Sequence, residues 1–259
     1  MDFTPDIKKF CKRSGADLVG IADLEPFRQG RTALPQELLD PYSSAVSIAI
    51  HLDDKTIDAI EDGPTLEYAE LYRAVNAALD RIASMIVQWL TKREFAAKAI
   101  PASHIVDEVN LLGNISHKAV ARMAGIGWQG KSLLIISPEF GPRIRLATVL
   151  TDMPLSADGP LKQRCGTCCE CAKACPASAI KNISSADGDE SRDAALFFER
   201  CANKTLEFKA LPGIGARICG VCIKVCPFGK KKKRGNQQLK KIEKKSKEHA
   251  PFIANLPGK

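Results

Sequence analysis

Ten cysteines fall in this 259-residue chain, and eight of them form two brackets that each end in Cys-Pro. The first runs Cys165, Cys168, Cys171, Cys175, Pro176, which is C-x2-C-x2-C-x3-C-P. The second runs Cys219, Cys222, Cys226, Pro227, one cysteine short, and Cys201 lies upstream to supply the missing thiolate. Three cysteines at three-residue intervals crowd a single tetrahedral ion, whereas two-cluster ferredoxins use this spacing and ligate each cluster with the fourth cysteine of the other run. The spacing therefore predicts one [4Fe–4S] cluster on Cys165, Cys168, Cys171 and Cys226, and a second on Cys175, Cys201, Cys219 and Cys222. Structural zinc and a disulfide framework are the alternatives. Zinc needs two well-separated pairs around one ion, and a chain this long builds a core without staples. Cys11 and Cys169 remain outside both sets and read as spare thiols packed near the core or a cluster.

Hydrophobic residues make up 45% of the chain, an ordinary share for a globular protein. The first 155 residues or so alternate helical and extended patterns, as an α/β domain does. Residues 5–13 read as a short helix closed by Gly15, residues 17–22 and 45–50 as strands. A long helix opens near Thr65 and ends near Lys92, with Leu71, Val75, Leu79, Ile82, Ile86 and Leu90 on one stripe. Residues 96–100 follow as a strand, 116–124 as a helix, and 132–136 and 144–150 as two more strands. No apolar run reaches the length that spans a bilayer, and the expected compartment is the cytoplasm. The net charge of +8 is concentrated at the end, where Lys230 to Lys247 holds ten basic residues against one acid. Such a tail suits nonspecific contact with tRNA or an acidic protein, and equally a solvated end.

Residues 124–132 read Ala-Gly-Ile-Gly-Trp-Gln-Gly-Lys-Ser. Gly125, Gly127 and Gly130 satisfy a dinucleotide pattern, and Gly125, Gly130, Lys131 and Ser132 satisfy a phosphate-loop pattern. Both mechanisms need a strand before the glycines and a helix after them. Here a helical pattern precedes and an apolar extended run follows, so the segment reads as a helix-to-strand turn whose uncovered amides approach a ligand other than a nucleotide.

From His117 through the glycine loop to Lys131, then Glu139-Phe-Gly141, Leu150-Thr-Asp152 and the first cysteine run, the chain resembles the epoxyqueuosine reductase family, which is related to reductive dehalogenases. The resemblance covers about residues 5–228. It implies a mixed α/β (α+β) fold: a nitroreductase-like domain over 1–155 that binds base-off cobalamin, a ferredoxin-like double [4Fe–4S] domain over 156–228, and a basic tail over 229–259. It also implies that electrons from a ferredoxin or flavodoxin pass through the clusters to cobalt, which reduces a substrate. The family's proton-donating aspartate falls at Leu111 here, and Asp107 stands four residues earlier. The helical repeats with which the family grips tRNA have no counterpart in the 30 or so residues after Cys226, so the substrate need not be tRNA.

His117 and Asp107 are the candidate catalytic proton donors, with His104 and Tyr42 behind them. An unperturbed imidazole donates near neutral pH, and a helix-capping role is the alternative for His117. His104, Gly125, Gly127, Gly130, Lys131 and Arg143 are the candidate corrinoid contacts, with loop or surface placement as the alternative. Two functions fit these residues: a corrinoid-dependent reductase with its own active site, and an electron carrier or activator that serves a separate corrinoid protein.

Overall fold

The structure is a computed structural model that describes residues 2–28, 36–103, 105–108, 110, 111, 113–183 and 191–230. The elements in chain order are α1 (Thr4–Ser14), β1 (Leu18–Asp23), α2 (Glu25–Arg28), α3 (Gln36–Leu39), β2 (Ser44–His51), α4 (Asp54–Asp58), α5 (Leu66–Thr91), β3 (Ala97–Ile100), α6 (His117–Met123), β4 (Trp128–Gln129), β5 (Ile135–Ile136), β6 (Ile144–Thr151), α7 (Glu170–Lys173), α8 (Arg192–Ala195), α9 (Phe198–Lys209) and α10 (Val221–Lys224). A 3-10 turn over Pro227–Gly229 ends the described part.

Four strands form one sheet in the order β1-β2-β6-β3, and every neighbouring pair is antiparallel. All eight residues of β2 are buried, as the central position of the strand demands. Its alternation divides two cores. Val46 and Ile48 face the side on which α1 and α5 pack, with Ile7, Leu79, Ile82, Ile86 and Leu90. Ala45 and Ala49 face the other side, with Val120, Ala121, Ala124 and Phe140. The period of two in the strand and of three or four in the helices thus produces three layers, α1 and α5, sheet, and α6.

Local sequence sets the element ends. Thr65 caps α5 by accepting a 3.1 Å hydrogen bond from the Tyr68 amide, and Gly15 closes α1 at φ 115°. Gly20 lets α6 lie close to β1: a Cβ there would stand 2.0 Å from the carbonyl oxygen of Ala124. Residues 132–134 are not strand. Leu133 adopts φ 58°, and only Ile135 and Ile136 pair, with Trp128 and Gln129. The sequence pattern failed there because an apolar run carries no information about where a turn bends it.

The apolar core does not stop at residue 155. Ile214, Ile218, Val221 and Ile223, from the cysteine-bearing segment, belong to the same buried cluster as α1 and α5. Among the described residues no helix is long and apolar enough to cross a membrane.

Candidate metal centres

Short helices and turns present the cysteines. Cys171 rides on α7, Cys201 on α9 and Cys222 on α10, while Cys226 precedes the 3-10 turn begun by Pro227. The Cys168 amide donates to the Cys165 carbonyl at 3.0 Å, which curls the first run around its own sulfurs. All eight bracket and upstream cysteines are partly buried and none is in a disulfide.

Electrostatic neighbours sort the thiols into two sets. Cys171 feels Cys165, Cys226 and Cys168, and Cys226 feels Cys165 and Cys168. Cys219 feels Cys201 and Cys175, and Cys222 feels Cys219, Cys201, Cys171 and Cys175. Cys171 and Cys226 thus lie near Cys165 and Cys168, Cys219 and Cys222 near Cys201 and Cys175, and Cys222 also neighbours Cys171. Burial first, and then the neighbouring sulfurs, pushes the Cys171, Cys219 and Cys226 thiols up to about 11. Cys201 and Cys222 are raised by the same causes. Crowded thiols that resist ionisation fit a cationic iron core, because a metal draws off those protons and cancels the repulsion. Cys165, Cys168, Cys171, Cys222 and Cys226 line a cavity of about 370 Å³, open mouth included, closed on the other side by Gly130, Lys131, Ile136 and Phe228. Cys11 is fully buried in α1, and burial pushes its thiol up to about 12, as suits a packing residue.

The glycine loop is pressed against this centre. Gly125 turns the chain at φ 67°, a Cβ on Gly127 would lie 2.4 Å from the Ile136 carbonyl oxygen, and one on Gly130 would lie 2.7 Å from the Ile136 side chain and 3.5 Å from Cys165 Sγ. The Gly130 amide is already used, donating to Leu134 at 2.8 Å. The missing side chains of Gly127 and Gly130 make room for β5, Gly130 also stands against Cys165, and Gly125 lies against Gly159 and Asp158. Lys131 is 7% exposed and donates to the Cys168 carbonyl at 2.9 Å. Arg143, 1% exposed, is committed to Asp54 Oδ1 at 3.0 Å and Asp58 Oδ1 at 2.6 Å, and it packs against Gly229. It ties α4 to the end of the cysteine segment.

A second group of polar side chains surrounds the start of α6. His117 Nε2 lies 2.9 Å from the Pro101 carbonyl oxygen, which can only accept, so Nε2 carries the proton and Nδ1 accepts from the Thr148 hydroxyl at 2.9 Å. Burial, the largest cause, holds the His117 pKa below its ordinary value. The candidate donor His117 thus has its Nε2–H engaged by the backbone. Asp107 accepts from the Asn110 amide at 2.9 Å and its side chain at 2.7 Å, so it organises its own loop. Tyr42 packs in the core on the α6 side, and His104 lies outside the described residues. The position of the family's aspartate is held by Leu111 at φ 53°.

Three cations at this place were not singled out from sequence. Arg145, on β6, donates to Asn76 Oδ1 at 3.0 Å and to the Ala102 carbonyl at 3.4 Å, and covers the Tyr72 ring at 4.4 Å. Arg192 donates to the Asn110 carbonyl at 2.7 Å. Lys118 is exposed to solvent, and desolvation by the surrounding protein is the first cause that lowers its pKa. Cys201, Cys222, Arg192 and Arg145 are its charged neighbours. A signal existed for one of them: Arg145 is the sole charge within the strand 144–151.

Residues 164–229 match a family described as a 4Fe-4S double cluster binding domain. The chain is 26% identical over 260 residues to the epoxyqueuosine reductase of Bacillus anthracis, with 89% of this chain and 66% of that protein covered. It is 29% identical over 268 residues to the tetrachloroethene reductive dehalogenase of Sulfurospirillum multivorans, with 89% and 51% covered. It therefore spans just under two thirds of the first relative and about half of the second. In fold it is similar to an epoxyqueuosine reductase crystallised with an epoxyqueuosine-modified tRNA-Tyr stem loop, at TM-score 0.60 and 22% identity over 90% of this chain and 67% of that one. It is also similar to a reductive dehalogenase whose structure suggests a mechanism for B12-dependent dehalogenation, at TM-score 0.66 and 21% identity over 96% and 35%. Over most of its length the chain is thus similar to both the epoxyqueuosine reductases and the reductive dehalogenases, and its cysteine segment matches the double-cluster binding domain.

Proposed function

We propose that this chain is an iron–sulfur reductase whose reducing site lies beside Lys118. In this reading Cys165, Cys168, Cys171 and Cys226 hold one [4Fe–4S] cluster, and Cys175, Cys201, Cys219 and Cys222 hold the other. The observation that carries the reading is the continuous line of neighbours from Cys171 to Cys222, and from Cys222 and Cys201 to Lys118. Clusters held at those positions would supply one-electron transfer, and a corrinoid held near Lys118 and Arg145 would supply cobalt redox chemistry.

The site has the chemistry to receive such a group. The carboxamide rim and phosphate of a base-off corrinoid are hydrogen-bond acceptors, and Lys118 and Arg145 offer N–H donors. Lys118 has no hydrogen-bond partner among the described residues, which leaves its ammonium free for a ligand. The same ammonium is the proton source that the site retains: the His117 N–H is used, Asp107 is tied to Asn110, and Leu111 has no proton to give. Substrate selection accordingly differs from that of a relative with an aspartate at this position. The electron donor in this reading is a ferredoxin or flavodoxin.

The second reading, an electron carrier that serves a separate corrinoid protein, is favoured by the ten basic residues between Lys230 and Lys247, which lie beyond the described residues apart from Lys230 itself. Anaerobic metal analysis of protein made with corrinoid available separates the two. The reductase reading expects about eight irons, about eight sulfides and about one cobalt per chain, with cobalt lost in Lys118→Glu while iron stays. Full iron with no cobalt in the unmodified chain would favour the carrier.

A further inference from the structure

Two cations are buried near the seam between the α6–β6 region and the cysteine segment, and they are treated differently. Arg143 has two carboxylates, Asp54 and Asp58. Lys131, 7% exposed, has none: its ammonium donates to the Cys168 carbonyl and makes no ion pair among the described residues. A buried charge without a counter-charge is costly, so its partner must be sought in what the site holds when complete. Lys131 lines the cavity with Cys165, Cys168, Cys171 and Cys226, the whole of one predicted set, and with Cys222 alone of the other, and the adjoining Gly130 stands against Cys165 Sγ. No other feature of that cavity bears a charge opposite to an ammonium.

We infer that Lys131 is the fixed counter-charge of the cluster held by Cys165, Cys168, Cys171 and Cys226, and that it raises the reduction potential of that cluster selectively. The inference rests on the cluster assignment made above. Four thiolates around an iron–sulfide cube give a net anion, and each added electron makes it more negative by one charge. A cation held beside it favours the reduced form, more strongly in a site with little water than it would in solution. The Cys168 carbonyl holds the ammonium in place by a hydrogen bond to the ligand run itself. Lys131 is thus a positioning and tuning residue, and the resemblance of its loop to a phosphate-binding loop reflects a shared need for an anion's counter-charge rather than a nucleotide.

Lys131→Gln keeps a hydrogen-bond donor toward the Cys168 carbonyl and removes the charge; Lys131→Arg keeps both. Anaerobically reconstituted holoprotein of each, with the unmodified chain, is titrated potentiometrically while electron paramagnetic resonance follows the two clusters. The expected result is full iron in all three, with one of the two midpoints more negative in Lys131→Gln, the other unmoved, and both near their original values in Lys131→Arg. Unmoved midpoints at full iron, or equal movement of both, would overturn the inference. So would loss of about half the iron in Lys131→Gln, because the lysine would then be holding the loop instead of tuning a cluster. An unmodified chain that takes up no iron would instead sink the cluster assignment.

Discussion

His117 and Lys118 are adjacent, and the helix start they share separates their roles. His117 is turned inward between Thr148 and Pro101, where both ring nitrogens are used, while Lys118 is exposed and its ammonium makes no hydrogen bond among the described residues. Burial lowers the His117 pKa from an ordinary value of 6.5, which fixes the sign of a pH effect. As the pH falls below about 6.5, the unfolded chain takes up a proton that the folded chain resists, so stability is complete above that pH and declines through the window down to the depressed folded value. Urea midpoints taken at pH 7.5 and at pH 5.5 should show this loss. In His117→Gln the loss should shrink, against a general cost of about 1–3 kcal/mol for the severed hydrogen bonds. Equal pH sensitivity in both proteins would mean that the acid response originates elsewhere.

At the level of elements, the site depends on how closely α6 lies against β1. Gly20 has no side chain to hold them apart, and the carbonyl it would strike, on Ala124, is backbone at the end of α6. Gly20→Ala should therefore cost about 1–3 kcal/mol in urea unfolding, and it should move Lys118 along with its helix. An unchanged midpoint would mean that strand and helix separate without penalty. The sequence reveals these elements well where periodicity is long or caps are present: α5, with its Thr65 cap and its stripe, and β2 and β6, with their apolar runs, lie within a residue or two of expectation. The two sets of cysteines were legible for a similar reason, since ligand spacing is a local property. Strand order, the bend at Leu133 and the gathering of Arg145, Lys118 and Arg192 were not. They arise from contacts between segments far apart in sequence, which no local pattern encodes. The close packing of Gly127 and Gly130 on Ile136, and of Gly130 on Cys165, is likewise absent from the glycine pattern itself.

On the scale of the whole molecule, the cysteine segment is part of the core. Ile214, Ile218, Val221 and Ile223 pack with α1 and α5, and Gly220 is held against Ile60 and Tyr68, so the shape of the second cysteine run is tied to the packing of the long helix. Removing iron with a chelator under anaerobic conditions should therefore lower the melting temperature of the entire chain in a single shifted transition, since ligands that bind the folded state stabilise all that folds with it. A melt that splits in two, leaving the sheet domain at its original temperature, would show that the halves fold independently. The adjacency of Cys171 and Cys222 has one more consequence. Donors of the ferredoxin kind deliver electrons one per visit, whereas reductive cleavage of a bond consumes two. In the proposed reading, two clusters held at these neighbouring sites would let the chain store a pair before substrate arrives, so that a half-reduced, reactive product would not have to wait for a second collision.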